Sequence, residues 1–188
     1  DIICRDTPPL PDTVFGYALN ISKCRGYRDC VHACVEENNL SRDTQYIRVI
    51  EMPKGSLDLN QGDHYYAADL VPREGHYYLP MQCMQCDNPH CVRVCPVGAT
   101  TQDEDGVIRV NPDTCIGCRY CVVACPYGSR SFNWKDPRSA PNLATLDNTY
   151  PTRMRGVVEK CTFCDERLAR GEQPACVEAC SNGEMIFG

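Results

Sequence analysis

Cys115-Ile116-Gly117-Cys118-Arg119-Tyr120-Cys121-Val122-Val123-Ala124-Cys125-Pro126 is the stretch that decides how the chain folds. Its spacing is C-x2-C-x2-C-x3-C-P. Three thiolates on one tight turn can reach three irons of a cubane iron–sulfur cluster, while the last cysteine, a helical turn further on, points toward a second centre. Gly117 has no Cβ, so the backbone can lie close to inorganic sulfide and leave room for N–H donors.

The same grammar recurs on either side. Cys83, Cys86, Cys91 and Cys95 form a C-x2-C-x4-C-x3-C run closed by Pro96. Cys161, Cys164, Cys176 and Cys180 form a run with a longer excursion before the third cysteine. Cys24, Cys30 and Cys34 make a shorter block, and Cys4 stands alone. These account for all 16 cysteines of the 188 residues. Such density often marks a disulfide scaffold, but neighbours two or three residues apart on a turn are badly placed to bridge and well placed to surround a metal centre. Zinc sites also use paired C-x2-C, but do not usually run four cysteines in so short a stretch before Pro. No C-x-x-C pair is followed by His, which excludes c-type haem attachment through His32, His64, His76 or His90. His32 and His90 lie close enough to cysteines to hydrogen-bond cluster sulfur.

Blocks one and three are copies. Cys24–Cys34 (CRGYRDCVHAC) and Cys115–Cys125 (CIGCRYCVVAC) agree at seven of eleven positions. The informative mismatch is Tyr27, which stands where block three has Cys118. Three thiolates suit a [3Fe-4S] cluster. The alternatives are Tyr27 oxygen or water as fourth ligand, or Cys4 folding back to supply it.

The net charge of −6 does not suit a nucleic-acid binder. No apolar run approaches the roughly 18 residues that span a bilayer. The chain opens at Asp1 without Met, as expected of a processed leader or a truncated chain. No P-loop, nucleophile elbow, dinucleotide fingerprint or H-E-x-x-H is present, so no substrate chemistry is expected of the chain alone. Short strands are expected at Tyr17–Ile21 and, after the Asp105-Gly106 turn, at Val107–Val110; helices are expected at Val31–Leu40 and Cys164–Arg170. The insertions Met52–Tyr78 and Ser129–Val158 read as surface excursions, either plain loops or docking surfaces.

The block order, the spacing of block four and the phrases CIGCRYCVVACPYG and KCTFC resemble the electron-transfer subunits of complex iron–sulfur molybdoenzymes and related quinone-linked complexes, the dimethyl sulfoxide and polysulfide reductase beta-subunit type and the alternative complex III type. The resemblance runs from Tyr17 to about Cys180 and specifies the subunit type, not its catalytic partner. It implies an α+β fold of two ferredoxin-like modules side by side: 1–78 with 159–188, from blocks one and four, and 79–135, from blocks two and three, with 136–158 as connection.

It also implies the ligand sets. Cys83, Cys86, Cys91 and Cys125 would hold one [4Fe-4S] cluster; Cys115, Cys118, Cys121 and Cys95 a second; Cys161, Cys164, Cys176 and Cys34 a third. Cys24, Cys30 and Cys180 would hold a [3Fe-4S] cluster at the Tyr27 position. Cations near these ligands would offset cluster charge: Lys23, Arg28, Arg119 and Lys160 first, with Arg25, Arg93 and Arg130 in the wider set. The expected role is to relay electrons one at a time between a catalytic or cytochrome subunit and an integral-membrane quinone-binding subunit. The chain would sit peripherally on the cytoplasmic membrane, on the periplasmic face or alternatively the cytoplasmic one. The rival roles are a free polyferredoxin and an enzyme using an open-site cluster near Tyr27.

Overall fold

The computed structural model describes residues 10, 12–41, 44–137 and 153–188. Cys4 and the middle of the 136–158 connection lie outside the described residues. The elements are short. In chain order they are β1 (Tyr17–Leu19), α1 (Asp29–Glu37), β2 (Arg48–Pro53), β3 (His76–Met81), α2 (His90–Arg93), β4 (Thr100–Gln102), β5 (Ile108–Val110), α3 (Tyr120–Ala124), β6 (Ser131–Phe132), β7 (Val158–Glu159), α4 (Asp165–Leu168), α5 (Ala175–Glu178) and β8 (Met185–Phe187). The fold is α+β, and its strands join as antiparallel pairs: β1–β8, β2–β3, β4–β5 and β6–β7.

The sequence repeat is a backbone repeat. Gly26 and Gly117 take φ of 81° and 67°, and Arg28 and Arg119 take 65° and 64°. In each copy the left-handed arginine precedes a helix, so the last two thiols of the block ride on a helical turn or its cap. α1 has Asp29 in its first turn, favourable to the helix dipole, and buries Cys30, Val31 and Cys34 on one face. α1 packs on α5 while β1 pairs with β8, so blocks one and four close on each other. α2 packs on α3 and β4 pairs with β5, which does the same for blocks two and three.

The expected strands and helices are found at shorter lengths. The two insertions are not merely surface excursions. β2 and β3 pair over six residues, from Arg48–Met81 to Pro53–His76. The interior residues of β2 are all buried, so it lacks the alternation that marks a half-exposed strand. From this hairpin the Tyr78 ring stacks over Gly26, where an added Cβ would meet its carbons at 2.5 Å. The Tyr66 hydroxyl donates to Gly26 O at 2.7 Å. The first insertion is thus a clamp on the block-one loop. The second clamps block three: a Cβ on Gly117 would meet Gly156 O at 2.2 Å and the Phe132 ring at 3.0 Å. Gly117 is required by this protein contact, whatever its approach to sulfide.

A buried ion network ties the two halves together. Arg109 on β5 donates to Asp103 (2.7 Å), Asp105 (2.9 Å) and, across to α4, Asp165 (2.8 Å). Burial pushes the Asp105 carboxyl up, but Arg109 and the Val107 N–H outweigh that and hold it below its ordinary 3.8. Arg109→Met leaves buried carboxylates unpaired and is expected to destabilise the loaded protein by about 3–5 kcal/mol. Because the Asp105 value is depressed on folding, its contribution is present above the ordinary carboxylate value and fades as pH falls through the folded one. Urea midpoints of wild type and variant should therefore differ at neutral pH and converge in acid; equal midpoints at neutral pH would refute a stabilising role.

Candidate metal centres

Cys34 from α1, Cys161 and Cys164 from the turn before α4, and Cys176 from α5 line one internal cavity with Tyr17 and Asn38. Burial pushes the Cys34 thiol well up, and Cys161, Cys164 and Cys176 push it further. One donor here is unspent. The Tyr17 hydroxyl is buried without a partner, and an unmet buried hydroxyl costs about 1–3 kcal/mol. Asn38 Nδ2, four residues beyond Cys34, donates to Cys34 O at 2.9 Å and reaches its Sγ at 3.7 Å. The Phe163 N–H donates to Cys161 Sγ at 3.4 Å. Four thiols around a cavity edged by an unspent hydroxyl and by N–H donors to sulfur fit an iron–sulfur cluster.

A second group adjoins it. Burial, then Cys24 and Cys180, push Cys30 up to about 12. Burial also pushes Cys24 up to about 11, helped by the carboxylate of Glu184, which is 8% exposed. Tyr27, between Cys24 and Cys30 in the chain, has 46% of its surface exposed. In the other half, burial, Cys83 and Cys91 push Cys86 up, and Cys125 adds to them. Cys121 is pushed up by burial, held down by Arg130 and raised by Cys115 and Cys118. Cys95 departs from this pattern. Burial raises it, but the Thr100, Val97 and Ala99 N–H groups and the Thr100 hydroxyl bring it below the ordinary thiol value.

The groups touch in sequence. Cys30 is among the thiols that raise Cys34, and Cys83 is the neighbour that most raises Cys161. Gln85, between Cys83 and Cys86, donates to Cys161 O at 2.9 Å and accepts from Ile108 N. The packing of α2 on α3 brings Cys91 and the turn to Cys95 against Cys121 and the turn to Cys125.

Of the four cations expected near ligands, Lys160 is buried, at 2% exposure, and donates to Cys161 O and Gln85 Oε1. Lys23 is exposed. Arg28 and Arg119 are spent on aromatic faces, Arg28 3.9 Å from the Tyr66 ring and Arg119 4.6 Å from Trp134. Arg25 and Arg93 are exposed as well, while Arg130 is 5% exposed. His32 and His90 are exposed rather than turned into a thiol group. Sequence reading singles out none of Asn38, Gln85 and Thr100; for Asn38 the i, i+4 spacing from Cys34 is the signal that could have found it. Among the described residues no three His, Cys, Asp or Glu side chains converge tightly enough for a single metal ion, as a zinc site would require.

Metal thiolates are deprotonated, so loading must release protons from thiols that burial holds at about 11 (Cys24, Cys164) and about 12 (Cys30, Cys176). Anaerobic reconstitution with ferrous iron and sulfide is expected to bind more iron per chain as pH rises from neutrality toward the ordinary thiol value of 9.0. Iron uptake independent of pH would contradict these raised thiols.

Comparison with known proteins agrees with this chemistry. Residues 75–140 and 138–188 each match the 4Fe-4S dicluster domain. The iron–sulfur subunit of a dimethyl sulfoxide reductase from Halobacterium salinarum is 40% identical over 94% of the chain and 66% of its own length. An Hdr-like menaquinol oxidoreductase iron–sulfur subunit of Archaeoglobus fulgidus is 40% identical over 85% of the chain and 59% of its length. A menaquinone reductase iron–sulfur cluster-binding subunit of Nitratidesulfovibrio vulgaris is 38% identical over 93% and 74%. The chain thus spans somewhat less than two thirds of the first two. No helix among the described residues is long and apolar enough to cross a membrane. The chain belongs to the 4Fe-4S dicluster family, whose members compared above are named as iron–sulfur subunits of reductases and a menaquinol oxidoreductase.

Proposed function

We propose that this subunit carries three [4Fe-4S] clusters and one [3Fe-4S] cluster and relays electrons one at a time between a catalytic or cytochrome partner and a membrane quinone module. Iron–sulfur clusters supply the one-electron carriage; the protein supplies ligands, spacing and tuning. The ligand sets are Cys24, Cys30 and Cys180 for the three-iron cluster; Cys34, Cys161, Cys164 and Cys176; Cys83, Cys86, Cys91 and Cys125; and Cys95, Cys115, Cys118 and Cys121. They divide between a module of 1–78 with 159–188 and one of 79–135, joined by 136–158.

The observation that carries this reading is the chain of neighbouring thiols: Cys30 beside Cys34, Cys161 beside Cys83, and the α2 and α3 cysteines side by side. It supports a single file of centres with the three-iron site at one end and the Cys95 site at the other. Relatives named as subunits of dimethyl sulfoxide and menaquinone reductases support the partners. The periplasmic face of the cytoplasmic membrane is the proposed location. Purification of the native complex tests the assignment. A catalytic or cytochrome subunit and a quinone-binding membrane subunit should co-purify with this chain, and quinol or quinone should change the redox state of its clusters. A chain that purifies alone and answers only to soluble carriers would favour the polyferredoxin role.

A further inference from the structure

Two cations are buried close to thiols, and they differ in how they are satisfied. Lys160 spends its donors on the Cys161 carbonyl and Gln85. Arg130 is 5% exposed and stands just before β6. Its Nη1 donates to Thr100 Oγ1 at 3.2 Å, and its Nη2 is buried with no hydrogen-bond partner. Among the described residues no carboxylate lies within ion-pair distance of it. A guanidinium cannot shed its charge, and an unpaired buried charge costs several kcal/mol, so the fold needs an anion at this place.

The surroundings show where that anion belongs. Its hydrogen-bond partner Thr100 opens β4, which packs on α2, and α2 packs on α3, the helix that holds Cys121. Thr100, 3% exposed, accepts from Arg130 and stands across a short turn from Cys95. Guanidinium and hydroxyl thus form one polar pair among the elements that carry two of the four cysteines, Cys95 and Cys121, assigned above to the site of Cys95, Cys115, Cys118 and Cys121. Sequence distance alone ranks Arg119 nearer these ligands, but Arg119 is exposed and stacked on Phe132 and Trp134.

We propose that Arg130 is a positioning residue for electron transfer: its buried charge raises the reduction potential of the cluster held by Cys95, Cys115, Cys118 and Cys121. The inference rests on the ligand assignment under Proposed function. Reduction adds one negative charge to the cluster, and a fixed cation beside a ligand thiolate favours the more negative state. Thr100 serves the same site by orienting the guanidinium.

The test is an EPR-monitored redox titration of the cluster-loaded complex, with iron counted in each sample. Cys118→Ser marks the step that belongs to this site by removing or displacing it. With iron content unchanged, Arg130→Gln is expected to move that same step, and no other, to lower potential by about tenfold in the reduced-to-oxidised ratio, ~59 mV for one electron. Arg130→Lys should move it less. An unmoved step at full iron content would leave Arg130 a structural residue and overturn the proposal. A step that moves but is not the one marked by Cys118→Ser would instead overturn the ligand assignment beneath it. If Arg130→Gln sheds the cluster, Arg130→Lys, which keeps the charge, should retain it; a lysine variant equally depleted of iron would show that charge is not what the site needs.

Discussion

Tyr27→Cys is expected to convert the proposed three-iron site into a four-iron one. The repeat supplies the reason. Block three holds Cys118 at the same place, between a left-handed glycine and a left-handed arginine whose φ values match those of Gly26 and Arg28 to within about fifteen degrees. The backbone that presents Cys118 therefore already exists around Tyr27. The Tyr27 side chain is half-exposed, so replacing it costs little packing. The variant should bind one more iron per chain, lose the EPR signal of an oxidised [3Fe-4S] cluster, and show its former step at lower potential, since cluster type and charge set the potential. A variant with wild-type iron and an undiminished signal would mean that the missing ligand is not what keeps this site at three irons.

Stripping the clusters is expected to unfold the chain. The apolar core is built around cysteines: Cys30, Cys34, Cys161 and Cys176 sit among Val31, Tyr46, Ile47 and Phe163, with Cys24, Cys83 and Cys180 packed against them. Every described strand is part of a two-stranded pair and most helices are a single turn, and isolated elements of that size do not hold their shape. Structural zinc sites contribute about 10–16 kcal/mol in small domains, whereas a whole domain is stable by about 5–15 kcal/mol. Metal release on that scale is as large as the whole margin. Anaerobic treatment with an iron chelator should abolish near-UV circular dichroism and most protease resistance together with the visible cluster absorbance. A colourless protein that keeps its near-UV spectrum would show that β2, β3 and their clamps hold the fold alone.

The metal-binding frame is legible because cysteine spacing is chemistry written directly in sequence. The four blocks, the repeat and the α+β fold can all be read there. The insertions cannot be read. β2 is buried along its whole interior, which hides its period, and the role of Tyr66 and Tyr78 depends on a contact with Gly26 made from 40 and 52 residues away. The cations show the same boundary. Lys23, Arg28, Arg119, Arg130 and Lys160 are all close to cysteines in sequence. Burial separates Arg130 and Lys160 from the rest, and burial is set by packing between segments remote from one another. Asn38 lies within reach of helical spacing from Cys34; Gln85 and Thr100 do not, because the Cys161 carbonyl and the Arg130 guanidinium that they meet come from other segments.

Iron and acid-labile sulfide per chain, measured together with the EPR spectrum of the air-free oxidised protein, test the four-centre relay most directly. Three complete cubanes and one three-iron cluster predict one iron fewer than four cubanes contain, sulfide equal to four cubanes, and the signal of an oxidised [3Fe-4S] cluster at about one spin per chain. A full complement of four cubanes with no such signal would mean that Cys4, Tyr27 or water completes the site of Cys24, Cys30 and Cys180, and iron for fewer than four centres would contradict the relay itself.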